Sequence, residues 1–272
     1  MTDDRVLGWW IHHKLHRAEE HIDDLDAEIR SFLDGSPYRL TSEFTSNGDG
    51  TTTWERKAEI AGQGWIGGTA AFPLGDAVHN MRAALDYIVS YLWACAGCPP
   101  MKSKTAFPVF LDRPDFKESG RRQIAGLPAR AQAIIQGLQP YKREKISDKL
   151  WILHKLDIID KHRMINLTGY SLLDTAFFNL EGTATVRILS SEVFPGPFEQ
   201  DTVLAKAVVE IIGDGPGEMD VHHDFPAGVA FDQAGPAPGL LVVETLREIL
   251  DYIRTEVIPP LEPFGEPLPT RA

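Results

Sequence analysis

The chain has 272 residues, of which 43% are hydrophobic and 24% are charged, and its formal net charge is −12 at pH 7. This composition is typical of a soluble globular protein with a sizeable core. No apolar run approaches the roughly 18 residues that a membrane span requires, and the acidic start, Met-Thr-Asp-Asp-Arg, lacks a signal-peptide pattern. We therefore expect a cytoplasmic protein without a membrane partner.

The first 60 residues predict a long helix followed by a hairpin. Apolar residues recur every three or four positions over 9–33, which is typical of an amphipathic helix, and Gly35-Ser36-Pro37 ends it. Thr-rich, alternating residues over 38–60 surround an Asn-Gly-Asp-Gly turn at 47–50. That pattern predicts a β-hairpin.

Three more helices are predicted before residue 164. The second helix is expected over 76–94, with Asp76 as its N-cap after Pro73-Leu74-Gly75. A third, shorter helix is expected over 128–138. The fourth is expected from the N-cap Ser147 to Arg163, and its apolar residues cover almost the whole circumference, so we expect it to be largely buried.

From residue 164 the pattern changes to strands. Alternating segments separated by Gly, Pro and Asp turns predict strands over 165–170, 177–189, 203–212, 218–225 and 229–231. A terminal helix is expected over 240–257, and the proline-rich tail over 259–272 reads as extended.

The predicted fold class is therefore α+β. It consists of a helical half with an inserted β-hairpin, followed by an antiparallel β-sheet and a C-terminal helix. The expected domains are a mainly helical one over 1–163 and a sheet with the terminal helix over 164–258, packed together as one unit.

Charge is distributed unevenly along the chain. Residues 101–170 contain fourteen Lys and Arg against seven Asp and Glu, whereas the flanking parts carry −7 and −12. A basic segment between acidic flanks predicts a surface for RNA or another phosphate-bearing ligand. The alternative is that these basic elements pack against acidic ones of the same chain.

The second predicted helix carries a polar stripe beside its apolar face. At 100° per residue, His79, Arg82 and Asp86 lie together at the edge of the arc formed by apolar residues such as Val78 and Leu85. Arg82 and Asp86 are four residues apart and can form an ion pair. Ionisable groups beside a core are expensive unless they are paired or used.

The fourth predicted helix carries a matching stripe of His154, Asp157 and Lys161. A buried helix with one polar stripe needs partners for it, so we expect the two helices to face each other. We call this predicted contact the polar seam. His162, one residue further on, is a further candidate for it. A purely structural seam is the alternative, since Arg82–Asp86 and Asp157–Lys161 could each pair within their own helix.

Three motifs carry a resemblance to known proteins. They are Gly-Asp-Ala-Val-His-Asn-Met-Arg-Ala-Ala-Leu-Asp (75–86), Gly-Leu-Gln-Pro-Tyr (137–141) and Leu-Asp-Ile-Ile-Asp-Lys-His-Arg (156–163). They resemble a group of uncharacterised proteins from actinobacteria and their phages, a kinship that assigns no activity. A remoter resemblance is to HEPN-type helical domains, many of which are metal-independent ribonucleases. Their signature places a polar residue directly after an arginine and a histidine a few positions on, where this chain has Ala83 and Tyr87.

Three classes of function follow from these residues. The first is a HEPN-like ribonuclease or a nucleotide- or phosphate-binding protein. In it, His79 or His162 acts as general acid or base, and Arg82 and Lys161 bind phosphate. Asp86 and Asp157 orient these groups. His154 from the facing helix is the remaining candidate. The second is a non-catalytic protein that binds a protein partner in a phage–host or defence setting. The third is a metal site formed by Asp76, His79, His154 and Asp157. The sequence predicts no cofactor.

Overall fold

The computed structural model describes residues 4–61, 66, 68–98, 105–171, 185–212 and 227–265. Its α-helices are α1 (Asp4–Asp34), α2 (Gly68–Cys95), α3 (Arg113–Asp115), α4 (Arg121–Gln123), α5 (Ala129–Gly137), α6 (Lys149–Asp160) and α7 (Val242–Tyr252). π-helical turns span Phe116–Gly120 and Ile253–Val257, and 3-10 turns span Pro140–Lys142, Lys145–Ser147 and Glu262–Phe264. The strands are β1 (Tyr38–Ser46), β2 (Thr51–Ile60), β3 (Leu167–Ser171), β4 (Thr185–Val193), β5 (Gly196–Pro197), β6 (Thr202–Ile212) and β7 (Ala227–Phe231).

The predicted α+β class is confirmed. The strands form two antiparallel sheets, with the orders β1-β2-β6-β4 and β5-β3-β7, where the sequence predicted one. The strand predicted over 218–225 and the start of the one predicted over 177–189 lie outside the described residues. None of the described helices is long and apolar enough to cross a membrane.

The division of the chain differs from the expected boundary at residue 163. A helical unit comprises Met1–Glu28, Gly68–Ile165 and Ala234–Ala272, and a sheet unit comprises Ile29–Gly67 and Asn166–Gln233. The hairpin belongs with the sheet because β2 pairs with β6, where Trp54 is buried against Ala205, Ala207 and Val209. The terminal helix belongs with the helices, since it contacts α2 and α6.

The predicted hairpin is confirmed, and its turn shows why the sequence signals it. Gly48 and Gly50 have φ angles of 78° and 89°, which favour glycine because it lacks a Cβ. Between them, the Asp49 carboxylate accepts the Thr51 N–H at 2.9 Å. The side chain thus closes the turn that joins β1 to β2.

The two helices of the seam begin at other residues than predicted. Helix α2 starts at Gly68, so Asp76 lies inside it and is not an N-cap. The apolar face of the helix extends back through buried Leu74 and Ala70, and Pro73 lies within the helix. Helix α6 is capped by Asp148, which accepts the N–H groups of the first turn, and not by Ser147. The apolar face of α6 is also narrower than expected, since Ile158 is exposed.

Candidate functional site

Helices α2 and α6 face each other within the helical unit, as the two stripes predicted. The Nδ1 atom of His79 on α2 lies 3.6 Å from Oδ1 of Asp157 on α6, which is an ion-pair distance. The His79 side chain is 57% exposed, whereas that of Asp157 is 5% exposed. A buried carboxylate therefore lies behind an imidazole that solvent can reach.

Lys161 completes this end of the seam. Its Nζ atom donates to Oδ2 of Asp157 at 2.5 Å, and its side chain is about half exposed. Each carboxylate oxygen of Asp157 thus has one cationic or imidazole neighbour. We call His79, Asp157 and Lys161 the outer end of the seam, because two of its three side chains reach solvent.

A close contact between the two helices lies at Gly75 and Asp160. A Cβ atom on residue 75 would lie 2.4 Å from Oδ1 of Asp160, so a larger residue there would displace this carboxylate from its place against α2. Burial, followed by the charges of Asp157 and Asp76, raises the pKa of the Asp160 carboxyl above its ordinary value. The contact was not predicted from the sequence.

The other end of the seam is a closed hydrogen-bonded ring. Nη2 of Arg82 donates to Oδ1 of Asp86 at 2.9 Å and to the carbonyl oxygen of Phe107 at 2.7 Å. The N–H of Phe107 donates to the same Asp86 oxygen at 2.8 Å. Burial raises the pKa of the Asp86 carboxyl, and the Arg82 charge opposes this increase. The partner that sequence reasoning missed is the backbone of Phe107.

His154 on α6 lies at the same end. Burial, followed by the charge of Arg82, lowers the pKa of its imidazole from 6.5 to about 4, so the ring is neutral at pH 7. Nδ1 of His154 and Nη1 of Arg82 are both buried, and neither has a hydrogen-bond partner among the described residues. We call Arg82, Asp86 and His154 the inner end of the seam.

The Gly-Leu-Gln-Pro-Tyr motif contacts the chain segment that contributes Phe107 to the inner end. Gln139, which is fully buried, donates from Nε2 to the carbonyl oxygen of Pro108 at 2.7 Å and accepts the N–H of Phe110 at 3.1 Å. These bonds fix the segment that presents the Phe107 backbone to Arg82 and Asp86. The motif therefore has a structural role in the geometry of the seam.

Asn80, the neighbour of His79 in the motif, was also missed from the sequence. It is buried, its Nδ2 donates to the carbonyl oxygen of Asp76 at 2.7 Å, and its Oδ1 accepts from Nζ of Lys14 on α1 at 2.9 Å. This side chain ties α2 to α1 one residue away from the exposed imidazole. The polar pair Asn80–Lys14 thus helps to fix the position of His79.

Two of the predicted residues do not join the seam. His162 follows the end of α6 and is exposed, and its side chain makes no hydrogen bond or ion pair with the described part of the chain. Asp76 is exposed as well. His162 therefore forms no polar contact with the outer end, and helix α6 ends at Asp160, before this residue.

The metal site considered from the sequence does not assemble. In the described ranges, no group of three or more His, Cys, Asp or Glu side chains comes close enough to hold a metal ion. His79 and Asp157 meet at the outer end, whereas the Asp76 carboxylate forms no hydrogen bond or ion pair with the described residues and His154 belongs to the inner end.

Comparisons with protein-family models, with curated proteins and with solved structures give no match for this chain. The resemblances to the actinobacterial and phage group and to HEPN-type domains therefore stay predictions.

Proposed function

We propose that this protein is a ribonuclease that uses the outer end of the seam for general acid–base catalysis. The observation that carries the proposal is Asp157, a carboxylate that is 5% exposed yet adjoins both an exposed imidazole and a half-exposed ammonium group. A buried carboxylate behind Nδ1 orients a histidine and leaves its opposite nitrogen, Nε2, available to a substrate. RNA suits such a site because its own 2′-hydroxyl supplies the nucleophile.

In the proposed reaction, Nε2 of His79 takes the proton of a 2′-hydroxyl, and the oxygen attacks the adjacent phosphorus. The bond from phosphorus to the 5′ oxygen breaks, and the protonated His79 returns the proton to that leaving oxygen. The products are a 2′,3′-cyclic phosphate and a 5′-hydroxyl. Lys161 stabilises the negative charge that develops on the phosphoryl oxygens, and Asp157 stabilises the protonated imidazole.

The inner end has a positioning role in this proposal. Arg82 and Asp86 are engaged with each other and with the Phe107 backbone, and His154 is neutral. Their function is to hold α2, α6 and the segment after residue 105 in register.

The test uses a labelled single-stranded RNA and the same sequence with 2′-O-methyl groups. The proposal predicts cleavage of the RNA only, with 2′,3′-cyclic phosphate ends. His79→Ala should lower the rate by about 10²–10³-fold, which is within the usual contribution of a general acid–base group. RNA that stays intact over a range of pH and added divalent cations would overturn the proposal and favour the non-catalytic, partner-binding alternative.

A further inference from the structure

A stripe of cations lies on the helical segment that follows Phe110. Arg113, Lys117 and Arg121 recur every four residues through α3, the π-helical turn and α4, and all three are exposed. Within the described ranges their side chains have no carboxylate partner. We call these three residues the basic stripe. Residues four positions apart on a helical segment lie on nearly the same side of it.

The segment that carries the stripe is anchored to the helical unit. Phe116, in its middle, is 1% exposed, and its ring lies 6.2 Å from that of Phe110 and 5.9 Å from that of Tyr141, centroid to centroid. At Gly120 a Cβ atom would lie 2.7 Å from Cδ2 of Phe116, so glycine permits the close packing. The stripe is therefore displayed on a packed element, and its backbone is already positioned for binding.

The acidic residues of the same segment do not neutralise the stripe. Asp112, Asp115 and Glu118 form no ion pair with it in the described part of the chain. The charge of Asp112, followed by burial and the charge of Glu118, raises the pKa of Asp115. Like charges four residues apart on a helix repel each other. The free chain bears this repulsion twice along the stripe, and a bound polyanion would relieve it.

We infer that the basic stripe binds the phosphodiester backbone of single-stranded RNA. This inference rests on the proposed function, which makes RNA the substrate, and it adds a binding surface separate from the residues of the outer end. Phosphate contacts by Lys and Arg release counterions and supply affinity without reading sequence. In a chain with a net charge of −12, a cationic stripe of this kind attracts a polyanion locally against the overall charge.

The test measures binding of the full chain to a labelled oligouridylate with 2′-O-methyl groups, which cannot be cleaved through the 2′ oxygen. The triple variant Arg113→Gln, Lys117→Gln, Arg121→Gln should bind more weakly. It should also lower the slope of log K against log salt by about 2, since each lost contact to a single strand removes roughly 0.7. When the salt concentration is raised from about 50 to 200 mM, the affinity of the wild type should therefore fall roughly 20-fold more than that of the triple variant.

The matched control removes three positive charges from the sheet unit by Arg39→Gln, Arg187→Gln and Lys206→Gln. It should bind like the wild type. Equal weakening in both triple variants, or binding to anionic phosphatidylserine vesicles without binding to the oligonucleotide, overturns the inference. If the stripe variant binds and cleaves normally while His79→Ala is inactive, the inference fails and the proposed function stands. If the stripe variant loses binding and no preparation cleaves RNA, the inference stands and the proposed function fails.

Discussion

The two ends of the polar seam use the same kinds of side chain in opposite environments. Each contains a histidine and a carboxylate–cation pair spaced four residues apart on one helix. At the inner end, Arg82 is 8% exposed and shares three hydrogen bonds with Asp86 and the Phe107 backbone. At the outer end, the histidine and the lysine reach solvent and only the carboxylate is buried.

This difference predicts which substitutions change the stability of the fold and which change its chemical activity. A buried charge that is paired and hydrogen-bonded contributes to the packing of the fold, and its loss leaves the partner groups without compensation. An exposed imidazole held by a buried carboxylate contributes little to folding and remains free to react. We therefore expect variants of the inner end to change the free energy of unfolding and variants of the outer end to change activity.

The largest change in stability is expected for Arg82→Met. It leaves the Asp86 carboxylate without its cation and the Phe107 carbonyl oxygen without its donor. Breaking a partly buried pair of this kind costs about 3 kcal/mol of unfolding free energy. Urea denaturation followed by circular dichroism measures the cost, and a loss below about 1 kcal/mol would show that the ring is not what holds the inner end.

A loss of stability of intermediate size is expected as the pH is lowered, and His154 is its cause. Its pKa is about 4 in the folded protein and 6.5 as an ordinary value, so between these values the unfolded chain binds more protons. Stability should therefore fall as the pH drops from about 7 to about 4, by on the order of 2 kcal/mol once partial exposure is allowed for. The pKa of Asp86 is raised in the folded protein, so protonation of this carboxyl favours the folded state and opposes the loss of stability at low pH.

The control for this pH effect is His154→Gln, which cannot titrate. Its unfolding free energy should decline less than that of the wild type over the same range, because the remaining acids are common to both. Parallel curves for the two proteins would contradict the assignment of the effect to His154.

The smallest change in the free energy of unfolding is expected for Lys161→Met, the counterpart of Arg82→Met at the outer end. Both substitutions remove a cation four residues from a carboxylate. Lys161 is about half exposed, and Asp157 keeps His79 as a neighbour, so the loss should stay below about 1 kcal/mol. If Lys161→Met and Arg82→Met destabilised the chain equally, the two ends would not differ in the way described.

Much of the site could be predicted from periodicity alone. The spacing of apolar residues found the buried faces of α1, α2 and α6, and the stripes left over from those faces correctly brought His79 to Asp157. The start of α2 could not be found in this way. Pro73 reads as a stop signal, but the apolar face continues through Leu74 and Ala70 and sustains the helix across it.

The remaining features depend on long-range contacts that no local pattern encodes. The backbone of Phe107 enters the inner end from a segment without regular spacing, and Gln139 holds that segment through the backbone of Pro108 and Phe110. The pairing of β2 with β6 joins residues about 150 positions apart, so the hairpin could not be assigned to the sheet unit from its own sequence. Gly75 gives a signal only once Asp160 is known to lie against it.

The most direct test of the central claim measures RNA cleavage and urea unfolding on the same preparations of His79→Ala and His162→Ala. Both substitutions remove an exposed histidine near the outer end, but only His79 contacts Asp157. The account predicts that His79→Ala loses cleavage by about 10²–10³-fold with an unfolding free energy within about 1 kcal/mol of the wild type, and that His162→Ala changes neither. Unchanged cleavage in His79→Ala, or an equal loss in both variants, would contradict it.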